Sequence, residues 1–306
     1  MPLQVDKETE LAIVRRAYAK QILSFVNVND ARLEAAFAAV PREHYLGPGP
    51  WQGMTMTLRY LPTPSDDPVY VYTDRLFGLI TAKFVNNGQP SLHVALIANA
   101  RVAPGEHVVH VGAGTGYYSA ILAHLVGPAG RVTAVEFDPA LAARAAANLA
   151  GGVPNVHVIA GDACQVSFEP ADVIYVNAGF SSIPANWLDA MRDGGRLILP
   201  MGTRAGLQEV EAAHKDPAQP DLARIAKLAR SQVMFQIERR GGEFHVKPTI
   251  PAAFIPAEGA DPVADAALAA AIEKGGARNV TRLYRDDDIP EERCWLRGEG
   301  FCLAYS

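Results

Sequence analysis

Val109-His110-Val111-Gly112-Ala113-Gly114-Thr115-Gly116-Tyr117 joins a short apolar run to a glycine cluster. The run Val108 to Val111 reads as a strand. Tyr118, Ile121, Leu122 and Leu125 then recur at helical spacing. Between strand and helix, the spacing Gly112-x-Gly114-x-Gly116 leaves backbone uncovered by side chains. A ligand can approach there, and the helix beyond offers N–H groups at its start. A dinucleotide fingerprint needs glycine at the third position after Gly114, and that residue is Tyr117. The spacing therefore disfavours a pyrophosphate and favours an adenosine ligand without phosphates.

Reading outward, Gly127-Pro128-Ala129-Gly130 breaks the helix and Arg131 to Val135 forms a second strand, closed by Glu136. A carboxylate at a strand end can accept hydrogen bonds from both hydroxyls of a ribose. Pro139 to Ala150 reads as a helix ended by Gly151-Gly152. Val156 to Ala160 is a third strand, followed by Gly161-Asp162-Ala163, where Asp162 suits an adenine amino group. Ala171 to Val176 is a fourth strand, Ile183 to Met191 a helix and Arg196 to Met201 a fifth strand. This alternation predicts a parallel α/β sheet whose strands are buried on both faces. The candidate ligand residues fall at successive strand ends, where open sheets of this class bind.

Upstream, Leu11, Val14, Tyr18, Ile22 and Phe25 share one helical stripe. Asp30 reads as the cap of a helix bearing Leu33, Phe37 and Val40, which Pro41 ends. Gly47 to Pro68 reads as irregular, Val69 to Tyr72 as a strand and Ser91 to Ala100 as a helix. Downstream, Gln208 to Ala213, Gln232 to Arg239 and Phe244 to Lys247 read as antiparallel strands, with a polar turn at His214 to Pro220. Asp261 and Pro262 open a helix ended by Gly275-Gly276. Cys294-Trp295-Leu296 and Phe301-Cys302-Leu303 read as a hairpin.

The 306 residues carry a net charge of −5, with 49% hydrophobic and 20% charged residues. This is a globular composition, and it disfavours a general binder of phosphate backbones. Three cysteines make no disulfide framework and lack zinc-site spacing; they are expected to be small hydrophobes, the alternative being that Cys294 and Cys302, which flank the hairpin, approach each other. The start, Met1 to Glu8, reads as polar rather than as a signal peptide, and no apolar run reaches membrane-spanning length. A soluble, reduced, cytoplasmic protein is the expectation. Asp286-Asp287-Asp288 reads as a solvated turn or a cation site. Trp295, Phe301 and Tyr305 suit packing on the sheet, a cover for the site or a homodimer contact.

The glycine cluster with Glu136 and Asp162 resembles a class I S-adenosylmethionine-dependent methyltransferase. Ala36-Phe37-Ala38-Ala39-Val40-Pro41-Arg42-Glu43, Gly194 to Gly202 and Phe254-Ile255-Pro256 resemble motifs of the protein-L-isoaspartate O-methyltransferase family. The resemblance covers residues 10 to 258. It implies a Rossmann-like methyltransferase sheet, mostly parallel with antiparallel edge strands, a helical N-terminal cap and a C-terminal extension. The corresponding divisions are residues 1–100, 101–258 and 259–306. It implies S-adenosyl-L-methionine as cofactor, held by Gly112, Ala113, Gly114, Thr115, Gly116, Tyr117, Glu136, Phe137, Asp162, Ala163 and Asn177. Ser91, Gln89 and Asn177 are the candidates on the catalytic side.

Two departures stand out. His110 occupies a position where the family usually has an acid. In Asn86-Asn87-Gly88-Gln89-Pro90-Ser91-Leu92-His93, Gly88 aligns with the family's acceptor-loop serine.

A carboxylate acceptor is ionised at neutral pH, so methyl transfer to it needs alignment rather than a strong base. The expected substrate is a peptide, protein or small-molecule carboxylate. Asn177-Ala178-Gly179-Phe180 lacks the two prolines common in amino-directed methyltransferases of nucleic acid, which with the negative charge argues against a nucleic-acid acceptor. Other readings are a different acceptor, a cofactor-binding protein without catalysis, and a nucleotide-dependent oxidoreductase, against which Tyr117 counts.

Overall fold

The computed structural model describes residues 6–55, 58–205, 208, 230–259, 261–285 and 290–306. In chain order come α1 (Lys7–Phe25), α2 (Ala31–Ala39), α3 (Arg42–Leu46), β1 (Gln52–Met54), β2 (Tyr60–Pro62), β3 (Gly78–Ile80), β4 (Val85–Asn86) and α4 (Pro90–Ala100). There follow β5 (His107–Val111), α5 (Tyr117–Val126), β6 (Arg131–Glu136), α6 (Pro139–Leu149), β7 (Val156–Ala160), β8 (Ala171–Val176), α7 (Ala185–Ala190) and β9 (Met191–Gly202). The last elements are β10 (Gln232–Arg240), β11 (Glu243–Pro248), α8 (Pro262–Lys274), β12 (Val280–Arg285), β13 (Cys294–Gly298) and β14 (Phe301–Tyr305). The chain groups into two compact units, Met1–Gly105 with Ala113–Ala160 and Glu106–Gly112 with Gly161–Ser306.

In the first unit, aspartates set the helix starts. The Asp6 carboxylate accepts from the Thr9 N–H at 3.0 Å, and the Asp30 carboxylate accepts from the N–H groups of Arg32 and Leu33. Asp138 caps α6 in the same way, with Pro139 at its first position. Helices α1, α2 and α5 share an aromatic core. Tyr18 and Tyr117 each meet Phe37 edge-on, and Tyr117 also lies against Tyr45 and Tyr118. Strands β6 and β7 pair in parallel, with Glu136 opposite Ala160.

Val69 to Tyr72 is not the expected strand. Pro68–Val71 is a 3-10 turn, because Asp67 caps it through the Val69 N–H and proline fixes its first residue. Within the segment read as irregular, Gly47 to Pro68, lies the short antiparallel β1–β2 pair, and the β3–β4 pair follows beyond it.

In the second unit the strand order is β13-β14-β12-β11-β10-β9-β8-β5. Strands β5, β8 and β9 run parallel to one another, and from β9 outward every pairing is antiparallel. The parallel strands are apolar and buried, as continuous runs require.

The helix expected over Ile183 to Met191 is shorter. Pro184 keeps residue 183 out of it, and Met191 already pairs with Ala171 as the start of β9. The C-terminal residues continue this sheet, and Val280–Arg285 is a strand that the sequence reading lacked.

Trp295 is buried, packs edge-on to Phe235 and donates its indole N–H to the Gly275 carbonyl at 2.8 Å. Packing on the sheet is therefore what Trp295 and the buried Phe301 do. The two hairpin cysteines are not separate hydrophobes: Cys294 and Cys302 form a disulfide across β13 and β14. The hairpin brings their Cα atoms to 5.9 Å, within disulfide reach, which cysteine spacing alone did not reveal.

Of the strand read over Gln208 to Ala213, Gln208 is helical and the rest lies outside the described residues, as do the turn at His214 to Pro220, the acidic turn at Asp286-Asp287-Asp288 and residues 1–5. Among the described residues, no helix is long and apolar enough to cross a membrane.

Candidate active site

The chain passes from the second unit to the first inside the glycine cluster, between Gly112 and Ala113. In the first unit, Gly114 has φ +57° and Gly116 +95°, conformations that L side chains avoid. A Cβ on Gly116 would stand 2.9 Å from Leu149 Cδ1, so α6 packs against bare backbone here. Glu136 closes the turn. One carboxylate oxygen accepts the Gly114 N–H at 2.6 Å and the other accepts the Asp138 N–H at 3.0 Å. The side chain is largely buried, which pushes its carboxyl above the usual carboxylate value while the backbone N–H groups pull the other way. Each oxygen keeps a second lone pair for a ligand hydroxyl.

Three other cofactor candidates in this unit behave differently. Phe137 is half exposed. Thr115 is buried, and its carbonyl accepts from Asn148. The Tyr117 side chain belongs to the aromatic core, so only its backbone stands at the start of α5.

In the second unit, Asn177 extends β8 and its backbone N–H donates to the Val111 carbonyl at 2.8 Å. Its side-chain nitrogen lies 2.7 Å from His110 Nε2. Asn177 Oδ1 is buried without a hydrogen-bond partner. His110 is fully buried, and burial pushes its pKa down to about 3, so the imidazole is neutral. A Cβ on Gly112, at φ +75°, would meet Asn177 at 3.4–3.5 Å. Asp162 caps its own turn, accepting the Cys164 N–H at 2.9 Å. Ala163 is buried, and its carbonyl accepts the Trp187 indole N–H at 2.9 Å, which fixes the backbone beside Asp162.

The loop before α4 is organised by residues that the sequence reading did not single out. Asp74 accepts the Ser91 N–H at 2.8 Å, the Ser91 hydroxyl at 2.6 Å and the Gln89 amide at 3.0 Å. Ser91 is buried and its proton is committed to this carboxylate, so the hydroxyl holds the loop rather than presenting itself to an acceptor. Gly88 has φ +76°, and a Cβ there would fall 2.1 Å from His93 Nε2. The His93 ring, stacked on Tyr118 at 3.7 Å, fills the place of any side chain at 88. Arg42 is fully buried and donates to the carbonyls of Val71, Thr73, Arg75 and Gly88. No carboxylate lies among those partners. No spacing in the sequence pairs Asp74 or Arg42 with this loop.

The model of the protein-L-isoaspartate(D-aspartate) O-methyltransferase family matches residues 20–228. A protein-L-isoaspartate O-methyltransferase of Thermotoga maritima is 29% identical over 188 residues, 60% of this chain and 54% of that protein. Protein-L-isoaspartate O-methyltransferase 1 of Rhodopseudomonas palustris is 32% identical over 208 residues, 67% of this chain and 76% of that protein. The chain thus spans little more than half of the Thermotoga relative. A solved protein-L-isoaspartate O-methyltransferase superposes with a TM-score of 0.61 at 26% identity, covering 80% of this chain and 66% of that one. A Plasmodium falciparum structure in complex with S-adenosyl-L-homocysteine shares the fold, with a TM-score of 0.57 at 17% identity over 79% of this chain and 97% of that one. The fold is accordingly the α/β Rossmann-like methyltransferase fold. Strands β10 to β14 lie beyond the matched residues. With its matched stretch covering most of its length, the chain belongs to the protein-L-isoaspartate(D-aspartate) O-methyltransferase family.

Proposed function

We propose that this chain is an S-adenosyl-L-methionine-dependent carboxyl O-methyltransferase acting on an isoaspartyl or related carboxylate of a peptide or protein. The observation that carries the reading is Glu136. Its carboxylate fixes the glycine turn through Gly114 and keeps free lone pairs, as a ribose-binding acid must. The proposed cofactor residues are Gly112 to Gly116, Glu136, Asp162, Ala163 and Asn177. The orphaned Asn177 Oδ1 fits the polar part of such a ligand, since a buried acceptor without a donor costs about 1–3 kcal/mol. When bound, S-adenosyl-L-methionine supplies a methyl group on a sulfonium.

The chain's own residues need no strong base, because a carboxylate acceptor is already ionised. Their task is alignment. Asp74, Ser91 and Gln89 hold the acceptor-side loop, and the neutral His110 holds Asn177 without adding charge.

A second reading, cofactor binding without transfer, draws on the same loop, where the Ser91 hydroxyl is consumed and position 88 is closed. Calorimetry with S-adenosyl-L-homocysteine and radiolabelled methyl incorporation into an isoaspartyl peptide separate the two. Binding with base-labile methyl incorporation is expected. Binding without transfer to any carboxylate selects the second reading. Glu136→Ala removes two backbone partners and a charged acceptor, so its S-adenosyl-L-homocysteine affinity should fall at least about tenfold. An unchanged affinity would remove Glu136 from the site.

A further inference from the structure

Asn87 sits one residue before the closed position 88 and is buried, with 7% of its surface exposed. Its backbone N–H donates to the Phe77 carbonyl at 2.9 Å. Its side-chain oxygen accepts from the Phe77 N–H at 3.2 Å and from an Arg42 Nη at 3.1 Å. Both partners of that oxygen can only donate. The orientation of the amide is therefore fixed by chemistry, and the other end is the NH2 group. That nitrogen, Nδ2, is buried with no hydrogen-bond partner.

Buried amide donors without partners are rare and costly, and each asks for an explanation, of which a bound polar ligand is one. Three hydrogen bonds to two residues hold this one. The Phe77 backbone pins the residue, and Arg42 pins the oxygen while also donating to the carbonyls of Thr73 and Arg75 on either side of Asp74. Arg42 in turn lies over the Phe77 ring at 5.1 Å. The hydrogen-bond partners of the guanidinium are all neutral oxygens, and its positive charge favours an anion at the amide it holds.

Within the proposed carboxyl methyl transfer, on which this step rests, we infer that Asn87 Nδ2 is the donor that receives the acceptor carboxylate. Gly88 supplies no side chain, and the Ser91 hydroxyl and Gln89 amide are bonded to Asp74. Asn87 brings a donor to the same loop and leaves one carboxylate oxygen free to take the methyl group. Arg42 is the positioning residue behind it.

The test is calorimetric binding of a synthetic isoaspartyl peptide to the full chain saturated with S-adenosyl-L-homocysteine. Asn87→Ala is expected to weaken peptide binding about tenfold or more and to leave S-adenosyl-L-homocysteine affinity unchanged. Asn87→Asp, nearly identical in size, replaces the donor by a carboxylate and should weaken binding further. It also serves if the alanine variant does not fold. A peptide whose isoaspartyl carboxylate is amidated should bind wild type and Asn87→Ala alike, because the missing partner is the same in both. Equal binding of the carboxylate peptide to all three proteins overturns the inference and leaves the proposed function standing. Equal losses of peptide and S-adenosyl-L-homocysteine affinity also overturn it, since they mark damage to the fold. Peptide that fails to bind wild type overturns the proposed function and this step together.

Discussion

His110 shows how one residue changes the electrostatics of a site. Where the family usually places an acid, this chain has an imidazole that burial keeps neutral, bonded to the side chain of Asn177. The ring gains a proton in the unfolded chain near pH 6.5 but in the folded protein only near pH 3. Between those values the unfolded state binds more protons, so stability falls as the pH drops below about 6.5. The loss from this site is about 1 kcal/mol between pH 6.5 and 5.5. Urea unfolding of wild type and His110→Gln should therefore diverge by that amount over the interval, wild type losing more. Parallel pH profiles would show that the imidazole is not buried neutral.

Residues of this kind differ in legibility. Glu136 and Asp162 stand out in the sequence because they are polar groups punctuating apolar strands. Asp74 and Arg42 do not, because their partners on the loop lie 17 and 45 residues away across a segment without period.

Among elements, strands and helices with a strong apolar pattern were readable, and those governed by local caps or by distant pairing were not. Pro68 and Asp67 overrode the alternation of Val69 to Tyr72. Strand β12 has half-buried polar residues and is defined by its pairing with β11 and β14. The turn into α5 was readable because glycine is needed there twice over, for its φ and for its contact. Gly105 isolates the first requirement. It has φ +82° and nothing within 4 Å of a Cβ, whereas Gly116 has φ +95° and Leu149 at 2.9 Å. Gly105→Ala should cost about 1–2 kcal/mol from backbone strain alone. Gly116→Ala should cost at least about 1 kcal/mol more, the typical effect of overpacking. Equal losses in urea unfolding would mean that α6 gives way freely and does not press on the turn.

Across the molecule, the composition suited separate thiols, and the C-terminal hairpin pairs two of them. The Cys294–Cys302 disulfide closes a short loop, with a sequence separation of 8, on the outermost hairpin of the second unit. Strand β14 links that hairpin to β12, and Trp295 ties β13 to the end of α8 and to Phe235. Cross-linking a loop of this length removes unfolded-chain entropy worth about 2–3 kcal/mol. Replacing both cysteines by serine should lower unfolding stability by that amount, less whatever the hairpin's own packing holds back in the unfolded chain.

The bond itself is checked by counting thiols. Burial raises the Cys164 thiol to about 12, with the Asp162 carboxylate adding to the rise, which disfavours the reactive thiolate, so the count is made after denaturation. Denatured without reductant, the protein should show one thiol, and after reduction all 3 cysteines. Three thiols without reductant would restore the expectation of separate cysteines and leave the hairpin to its packing alone.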